Sequence, residues 1–143
     1  MKYNLILVCA AGVLTGCASA PPGSSPEEKV RQMSYERISL HAATNASFLQ
    51  SKTEKELTDA SLDAAKNQMK DPGSVQFRNV RLVSHPNGKL ICGEINAKNT
   101  YGGYVGFRLF AASPLGATTL VTGGRYVEVD ELANVGLRAA CGY

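Results

Sequence analysis

Two strand-like runs joined by a polar, glycine-containing loop constrain the fold of this chain more than any other feature. Residues 89–97 are rich in Leu and Ile, and residues 104–112 place apolar side chains at every second position. The loop between them contains Asn and Gly, which readily adopt the positive φ angles of tight turns. The pattern therefore predicts an antiparallel hairpin. We expect its second strand to direct the following residues toward the core: Val105, Phe107, Leu109 and Ala111.

The N-terminal residues are typical of an exported protein. Lys2 precedes an apolar run, residues 5–14, which is too short to cross a bilayer as a helix and suits the core of a signal peptide. The sequence Leu14-Thr15-Gly16-Cys17 follows, and it resembles the lipobox of bacterial lipoproteins. The resemblance implies a signal peptide over residues 1–16, cleavage before Cys17, acylation of that residue and stable anchoring on a lipid bilayer. Ala18 favours the periplasmic face of the outer membrane over the inner membrane.

Cysteine usage predicts one disulfide. Of the four cysteines, Cys9 leaves with the signal peptide and Cys17 carries lipid, so Cys92 and Cys141 remain. In an oxidising periplasm, two remaining cysteines most simply pair. The alternative is that Cys92 is a nucleophile assisted by a histidine, but such a nucleophile needs a base within hydrogen-bond reach, and nothing in the spacing indicates one.

The remaining composition predicts no metal ion, other cofactor or nucleic acid. His41 is expected on the surface of a helix and His85 at the end of a strand. The histidines and the two remaining cysteines lack the paired spacing of metal ligands. A formal net charge of +3 is too small to create the strong field that draws in nucleic acid.

The first half of the mature chain predicts a tether and two helices. Residues 17–25 are small or Pro- and Ser-containing, which is typical of a flexible spacer. Capping-box sequences at residues 25–28 and 53–56 then begin two helices, the first reaching about His41 and the second about Met69. The sequence Asp-Pro-Gly-Ser at residues 71–74 ends this helical region, residues 26–70.

The second half predicts strands over residues 79–129 and a short final helix. The expected strands are residues 79–85, 89–97, 104–112, 118–122 and 126–129, separated by turn sequences. Asp130 is expected to cap a C-terminal helix, residues 130–140, that returns Cys141 toward Cys92. The order predicts one α+β domain over residues 26–143. Its antiparallel sheet has about four to five strands, with helices on one face.

The central loop and its flanking strands carry residues that commonly contact other molecules. Tyr and Arg are enriched in binding hot spots, and function concentrates on loops held by rigid strands. The candidate binding residues are Asn96, Lys98, Asn99, Tyr101, Tyr104 and Arg108. The alternative is structural: the glycines serve turn geometry, the asparagines bond their own backbone, and the polar row is a solvated outer face.

A catalytic alternative depends on Glu94 and Glu128. If residues 126–129 form a strand in register with its neighbours, these carboxylates share a surface with Tyr104, Arg108 and Tyr126 and could act as acid and base in glycosidic cleavage. No second marker accompanies the pair, so no catalytic residue is assigned. A module that binds or hydrolyses peptidoglycan or another glycan therefore stays the alternative function.

Residues 71–110 also carry a resemblance to a known group of proteins. The sequence Asp-Pro-Gly-Ser-x-x-Phe begins at Asp71, and Cys-Gly-Glu-Ile-Asn-Ala-Lys-Asn-x-x-Gly-Gly-Tyr-x-Gly begins at Cys92. Together they resemble a group of small uncharacterised bacterial envelope and secreted proteins. The resemblance implies a shared domain and supplies no catalytic residue. The sequence therefore predicts a membrane-anchored periplasmic lipoprotein that binds an envelope protein, or a phage or toxin protein, without catalysis.

Overall fold

The described part of the chain forms three α-helices and one four-stranded antiparallel sheet. The structure, a computed structural model, describes residues 23–142, so the predicted signal peptide and the predicted lipidation site, Cys17, lie outside it. The helices are α1 (Pro26–Phe48), α2 (Glu54–Asn67) and α3 (Val127–Cys141), and a 3-10 turn, Pro72–Ser74, follows α2. The strands, in spatial order, are β1 (Gln76–His85), β2 (Gly88–Asn96), β3 (Arg108–Ser113) and β4 (Gly116–Thr119). The predicted α+β class is confirmed.

Both predicted capping boxes form. Ser25 Oγ accepts from Glu28 N while Glu28 Oε2 accepts from Ser25 N, and Thr53 and Glu56 repeat the arrangement at the start of α2. Helix α1 continues to Phe48, beyond the predicted end near His41, because its last turns are anchored on the sheet. There, Asn45 Nδ2 donates to the carbonyl oxygens of the two central strands, Lys89 O and Ala112 O.

Helices cover both faces of the sheet. On one face, Leu90, Cys92 and Ala111 pack against α1 and α3. On the other, Ile91, Ile95, Phe110 and Ala112 pack with residues of α2. The prediction that helices cover one face is therefore wrong, because β2 and β3 are apolar at consecutive positions and successive side chains of a strand point to opposite faces.

Strand β3 is shorter than predicted. It begins at Arg108, so Tyr104 and Val105 precede it, and Val105 is exposed. The buried residues of β3 are consecutive, Phe110, Ala111, Ala112 and Ser113, rather than the alternating set that the period-two pattern indicated. The residues before Arg108 consequently belong to the loop and not to the sheet.

The predicted strand at residues 126–129 is wrong, since helix α3 begins at Val127. The alternation Tyr-Val-Glu-Val indicated a strand, but every one of these residues is exposed, so the alternation has no buried face to define it. Packing later in the segment, at Asn134 and Leu137, selects the helix. Asp130 does not cap it either: this residue lies in the first turn, where its Oδ2 accepts from Gly124 N at 2.8 Å.

The predicted disulfide joins Cys92 of β2 to Cys141 at the end of α3. Both residues are fully buried, and Arg81 Nη2 of β1 donates to Cys141 O at 2.6 Å. Helix α3 also crosses α1 closely, because a Cβ at Gly136 would lie 2.7 Å from Ser34 O. The crossing is hydrogen-bonded as well: Ser34 Oγ donates to Ala133 O and accepts from Gly136 N. These contacts fix α3 over the centre of the sheet.

His41 is not the surface residue that the sequence predicted. Its ring is half-buried between α1 and the β3–β4 hairpin, with Nδ1 2.9 Å from Ser113 Oγ and Nε2 3.0 Å from Thr118 Oγ1. Burial lowers the pKa of His41 below its ordinary value, and the nearby charge of Arg37 lowers it further. His85 does lie at the end of β1, where its Nδ1 accepts from Asn87 N.

We expect the disulfide to supply a large share of the stability. It closes a loop with a sequence separation of 49 residues, for which the chain-entropy model gives about 4 kcal/mol. Denaturant titration of the oxidised protein, with and without reductant, measures the difference. The double variant Cys92→Ala/Cys141→Ala should match the reduced protein and show no response to reductant. An oxidised protein no more stable than the double variant would contradict the expectation.

His41 should make the fold less stable in mild acid. Its pKa is lowered in the folded state, so the unfolded chain binds a proton more readily, and stability falls as the pH drops through and below about 6.5. We expect the free energy of unfolding to decrease between pH 8 and pH 5, and His41→Gln to decrease less. The matched control is His85→Gln, which replaces the other histidine of the chain and leaves the contacts of His41 in place. Equal pH profiles for His41→Gln and the native chain would contradict this account.

Candidate functional site

The loop of residues 97–107, which we call the tyrosine loop, extends the β2–β3 hairpin beyond the edge of the core. Lys98 and Tyr104 form an isolated antiparallel bridge, and Val105 N donates to Ala97 O. At the tip, Asn99 N donates to Gly103 O at 2.8 Å and Gly102 N donates to Asn99 O at 3.0 Å. The loop is therefore an ordered turn supported by the two central strands.

Asparagine side chains hold this turn in place. Asn99 Oδ1 accepts from Tyr101 N at 3.0 Å and from Gly103 N at 3.1 Å, and Asn96 Oδ1 accepts from Gly106 N at 3.0 Å. These oxygens are bonded to the backbone of the loop itself. Through these oxygens Asn96 and Asn99, two of the predicted binding residues, fix the backbone of the loop around them.

Tyrosines project from the ordered backbone. The side chain of Tyr101 is 96% exposed and that of Tyr104 is 47% exposed. Tyr104 is held from two sides, because Lys98 Nζ lies 5.5 Å from its ring centroid and Gln76 Nε2 lies 3.5 Å from its hydroxyl. Of the predicted binding residues, Lys98, Tyr101 and Tyr104 are thus brought together on one loop.

Sequence reasoning missed an ionic cluster at the base of the loop. Arg78 Nε donates to Glu94 Oε2 at 2.9 Å, Arg78 Nη2 donates to Glu94 Oε1 at 3.1 Å, and Asn79 Nδ2 donates to Glu94 Oε2 at 2.8 Å. The guanidinium of Arg78 also lies 3.9 Å from the ring centroid of Phe107. The cluster joins β1 to β2 and to the last residues of the tyrosine loop.

A β-bulge explains why the sequence did not reveal this cluster. The pairing of β1 with β2 shifts between Arg78 and Arg81, and Asn79 adopts φ 53°. An extra residue in one strand changes which side chains face a given partner, and alternation alone cannot indicate it. A local signal was Asn79 itself, at the start of the predicted strand, since Asn tolerates positive φ better than most residues.

The predicted shared surface of tyrosines, arginine and carboxylates does not form. In the β2–β3 register Glu94 lies opposite Leu109, whereas Arg108 lies opposite Ile95. Neighbouring positions of a strand face opposite sides of the sheet, so Arg108 and Glu94 project in opposite directions. Glu128 lies in the first turn of α3 rather than on a strand beside Glu94.

Glu94 is also poorly suited to act as a general acid. Hydrogen bonds from Arg78, and then from Asn79, lower the pKa of its carboxyl, which favours the ionised form. A glycosidic acid needs a raised pKa so that it can hold a proton near neutral pH. The geometry therefore gives no support to an acid and base pair formed by Glu94 and Glu128.

Other catalytic and metal-binding alternatives lack a site in residues 23–142. Cys92 is bonded to Cys141, so it offers no thiolate for the nucleophilic alternative. Within the same residues, no group of three or more His, Cys, Asp or Glu side chains could hold a metal ion. Nor does this part of the chain contain a helix with the length and apolar character needed to cross a membrane.

Comparison with known proteins adds no assignment: no family model matches the chain, and neither a curated protein nor a solved structure matches it. The tyrosine loop is therefore identified from its geometry, as ordered backbone carrying exposed aromatic side chains and a cation.

Substitutions at the two adjacent glycines of the loop can separate its structural role from a binding role. Gly102 has φ 79°, whereas Gly103 lies outside the positive-φ region and a Cβ there would meet only Asn99 Oδ1 at 3.8 Å. We expect Gly102→Ala to strain the turn by about 1–2 kcal/mol. Hydrogen exchange at the Asn99 amide, which bonds to residue 103, should then accelerate. The adjacent control, Gly103→Ala, should leave that exchange unchanged, and equal acceleration in both variants would contradict the assignment.

Proposed function

We propose that the protein is a lipid-anchored envelope protein that binds a protein partner, without catalysis, through the tyrosine loop. The observation that supports this most strongly is the 96% exposure of Tyr101 on a turn whose backbone is bonded at residues 99, 101, 102 and 103. Tyrosine contributes a large apolar ring and a polar hydroxyl to an interface. An ordered backbone reduces the entropy lost on binding, so more of the contact energy appears as affinity.

The chemistry of the loop indicates what kind of partner fits. Tyr101 and Tyr104 suit an apolar pocket with hydrogen-bond acceptors at its rim, and Val105 adds exposed apolar surface beside them. Lys98 supplies a cation next to the Tyr104 ring. A protein surface with an apolar centre and an acidic margin complements this arrangement, and an envelope protein, a phage protein or a toxin could provide it.

The proposed anchor would keep the loop near the membrane. The lipobox-like sequence at residues 14–17 supports acylation of Cys17, and α1 begins at Pro26. The intervening residues 17–25 span at most about 30 Å when extended. A partner in the same membrane or in the adjacent periplasm would therefore lie within reach of the loop.

Capture from envelope extract tests the proposal. The lipidated protein should retain a discrete protein that the double variant Tyr101→Ala/Tyr104→Ala loses. Gly103→Gln should lose it too, because its side chain would cover the turn without a strained φ. The matched control is Tyr35→Ala in α1, whose tyrosine is 45% exposed, close to the 47% of Tyr104, and which should retain the partner. Glu94→Gln should also retain it.

Two outcomes would contradict the proposed function. If the tyrosine-loop variants and the Tyr35→Ala control capture the same proteins, the loop is structural. If purified peptidoglycan sediments the native chain, and Glu94→Gln abolishes sedimentation or cleavage, the glycan-directed alternative replaces protein binding.

A further inference from the structure

Strand β1 forms one outer edge of the sheet and is more exposed than the central strands. Among the described residues, only β2 pairs with it. None of its ten residues is buried, whereas most residues of β2 and β3 are. The outer side of β1 is therefore accessible to solvent. A strand edge of this kind presents unpaired N–H and C=O groups, which can pair with a further strand.

The hydrogen bonds of the sheet show which backbone groups of β1 face outward. In an antiparallel sheet, the N–H and C=O groups of successive residues point to opposite sides of their strand. Near the other edge, Leu120 N donates to Leu109 O, so the backbone of Leu109 points toward β4 and that of Phe110 toward β2. Phe110 pairs with Gly93, whose backbone groups therefore point toward β3.

The same alternation continues into β1. Cys92, next to Gly93, points its backbone groups toward β1 and pairs with Arg81. The backbone of Arg81 therefore points toward β2, while those of Leu82 and Ser84 point outward. No side chain or loop in the described part of the chain bonds to the backbone of Leu82 or Ser84. These two residues leave donors and acceptors for another strand.

The opposite edge of the sheet is protected in a way that β1 is not. On β4, Ala117 N donates to Gln68 Oε1 at 2.7 Å. Just beyond that strand, Val121 N donates to Asn134 Oδ1 and Val121 O accepts from Asn134 Nδ2, both at 2.8 Å. Side chains from the end of α2 and from α3 thus bond to outward backbone groups there. Strand β1 is also longer, with ten residues against four in β4.

Two cavities flank the ends of β1 on opposite faces of the sheet. The first lies at His85, between α1 and α3, and Ile38 is among its lining residues. The second lies at Phe77, against α2, and Leu62 is among its lining residues. Successive side chains of a strand alternate between the two faces of a sheet. A strand added along β1 would therefore direct side chains into both cavities.

The register of β1 determines how long an added strand must be. Phe77 to His85 occupy nine positions, and the bulge between Arg78 and Arg81 shortens β1 by one residue relative to its partner. A regular strand of eight residues therefore passes both cavities. If it runs antiparallel, as every pair in this sheet does, its first residue lies beside His85 and its eighth beside Phe77. The first and eighth side chains face opposite sides, as the two cavities require.

The lining of the cavity at His85 indicates an aliphatic side chain. The fully buried Ile38 contributes to it from α1. Small residues of α3 complete the wall on the other side: Gly136, Ala139 and Ala140. An apolar cavity with short side chains around it suits a branched aliphatic group.

The cavity at Phe77 indicates a basic side chain. Its lining contains two carboxylates, Asp59 and Asp63, and one cation, Lys66. Asp59 is paired with Lys55 at 2.6 Å, whereas Asp63 forms no salt bridge within the described residues. Charge complementarity therefore favours Lys or Arg on the segment that lies there.

We propose that the edge of β1 binds an eight-residue extended segment of another protein as a fifth, antiparallel strand, with an aliphatic residue first and Lys or Arg last. Backbone hydrogen bonds to Leu82 and Ser84 supply affinity, and the two cavities select the side chains. A second copy of this chain lacks the required charge, because its own β1 ends in Leu-Val-Ser-His and brings no Lys or Arg to the carboxylates. This surface is separate from the tyrosine loop and needs neither that loop nor a lipid anchor.

A synthetic peptide tests the proposal. The probe is fluorescein-labelled Leu-Thr-Val-Thr-Val-Thr-Val-Lys-amide, which has the aliphatic and basic residues at its ends and β-branched residues between them. Fluorescence anisotropy measures its binding to the full chain as cells produce it. We expect saturable binding that weakens about tenfold when Glu replaces the final Lys of the peptide. The double variant Tyr101→Ala/Tyr104→Ala should bind the probe like the native chain, so this result is independent of the proposed function.

Methylation of the peptide backbone provides a control that leaves the protein unchanged. Peptide positions 2 and 4 lie opposite Ser84 and Leu82, so N-methyl groups there remove hydrogen bonds to β1. N-methyl groups at positions 3 and 5 replace N–H groups that face solvent. We expect the first pair of methyl groups to abolish binding and the second pair to preserve it. Equal effects of the two pairs would overturn the proposal.

Ser84→Pro tests the same edge from the side of the protein. It removes an outward N–H, and proline is tolerated on an edge strand where the N–H faces solvent. We expect Ser84→Pro to lose the probe and the matched control Ser84→Ala to retain it, with amide exchange in β2 reporting that each variant is folded. No binding by the native chain, or binding that folded Ser84→Pro retains, would overturn the proposal. A dimer that forms without peptide and dissociates in Ser84→Pro would also overturn it, because a second copy would then occupy the edge.

Discussion

The disulfide between Cys92 and Cys141 connects β2, a central strand that lies between two helical layers, to the last helix of the chain. It holds α3 on the sheet, α3 in turn crosses α1 at Ser34 and Gly136, and α1 is bonded to the sheet through Asn45. Together these contacts fix the positions of α3 and α1 relative to β2. Because β2 is covered on both faces, the hairpin end beyond Asn96 is where the central strands leave the core.

The tyrosine loop lies at that end of the hairpin. Its asparagine oxygens bond the backbone, its glycines allow the turn, and its tyrosines are left for solvent or for a partner. An aromatic side chain on a mobile segment would lose backbone entropy on binding, whereas one on a bonded turn loses mainly its own rotamer freedom. The ionic cluster of Arg78, Asn79 and Glu94 supports the same end of the hairpin from β1. These charges are therefore structural.

The sequence predicts features that depend on residues close together in the chain, and it misses features that depend on contacts between distant residues. The capping boxes at Ser25 and Thr53 are complete within four residues, and the disulfide follows from the small number of cysteines, so both are confirmed. The start of α3 depends on packing at Asn134 and Leu137, beyond the Tyr-Val-Glu-Val alternation, and the strand prediction there is wrong. The Glu94 cluster depends on a bulge in β1, and the burial of His41 on its contacts with the β3–β4 hairpin. Local periodicity of the sequence indicates neither the Glu94 cluster nor the burial of His41.

The most direct test of the central claim, that the tyrosine loop is a protein-binding surface, is photo-crosslinking in the living cell. A photoreactive phenylalanine derivative replaces Tyr101 in one strain and Tyr35, the exposed tyrosine of α1, in another. We expect the Tyr101 position to give one discrete crosslinked envelope protein that the Tyr35 position does not give. Identical products from both positions, or no product from Tyr101 while the protein is folded and membrane-bound, would contradict the claim.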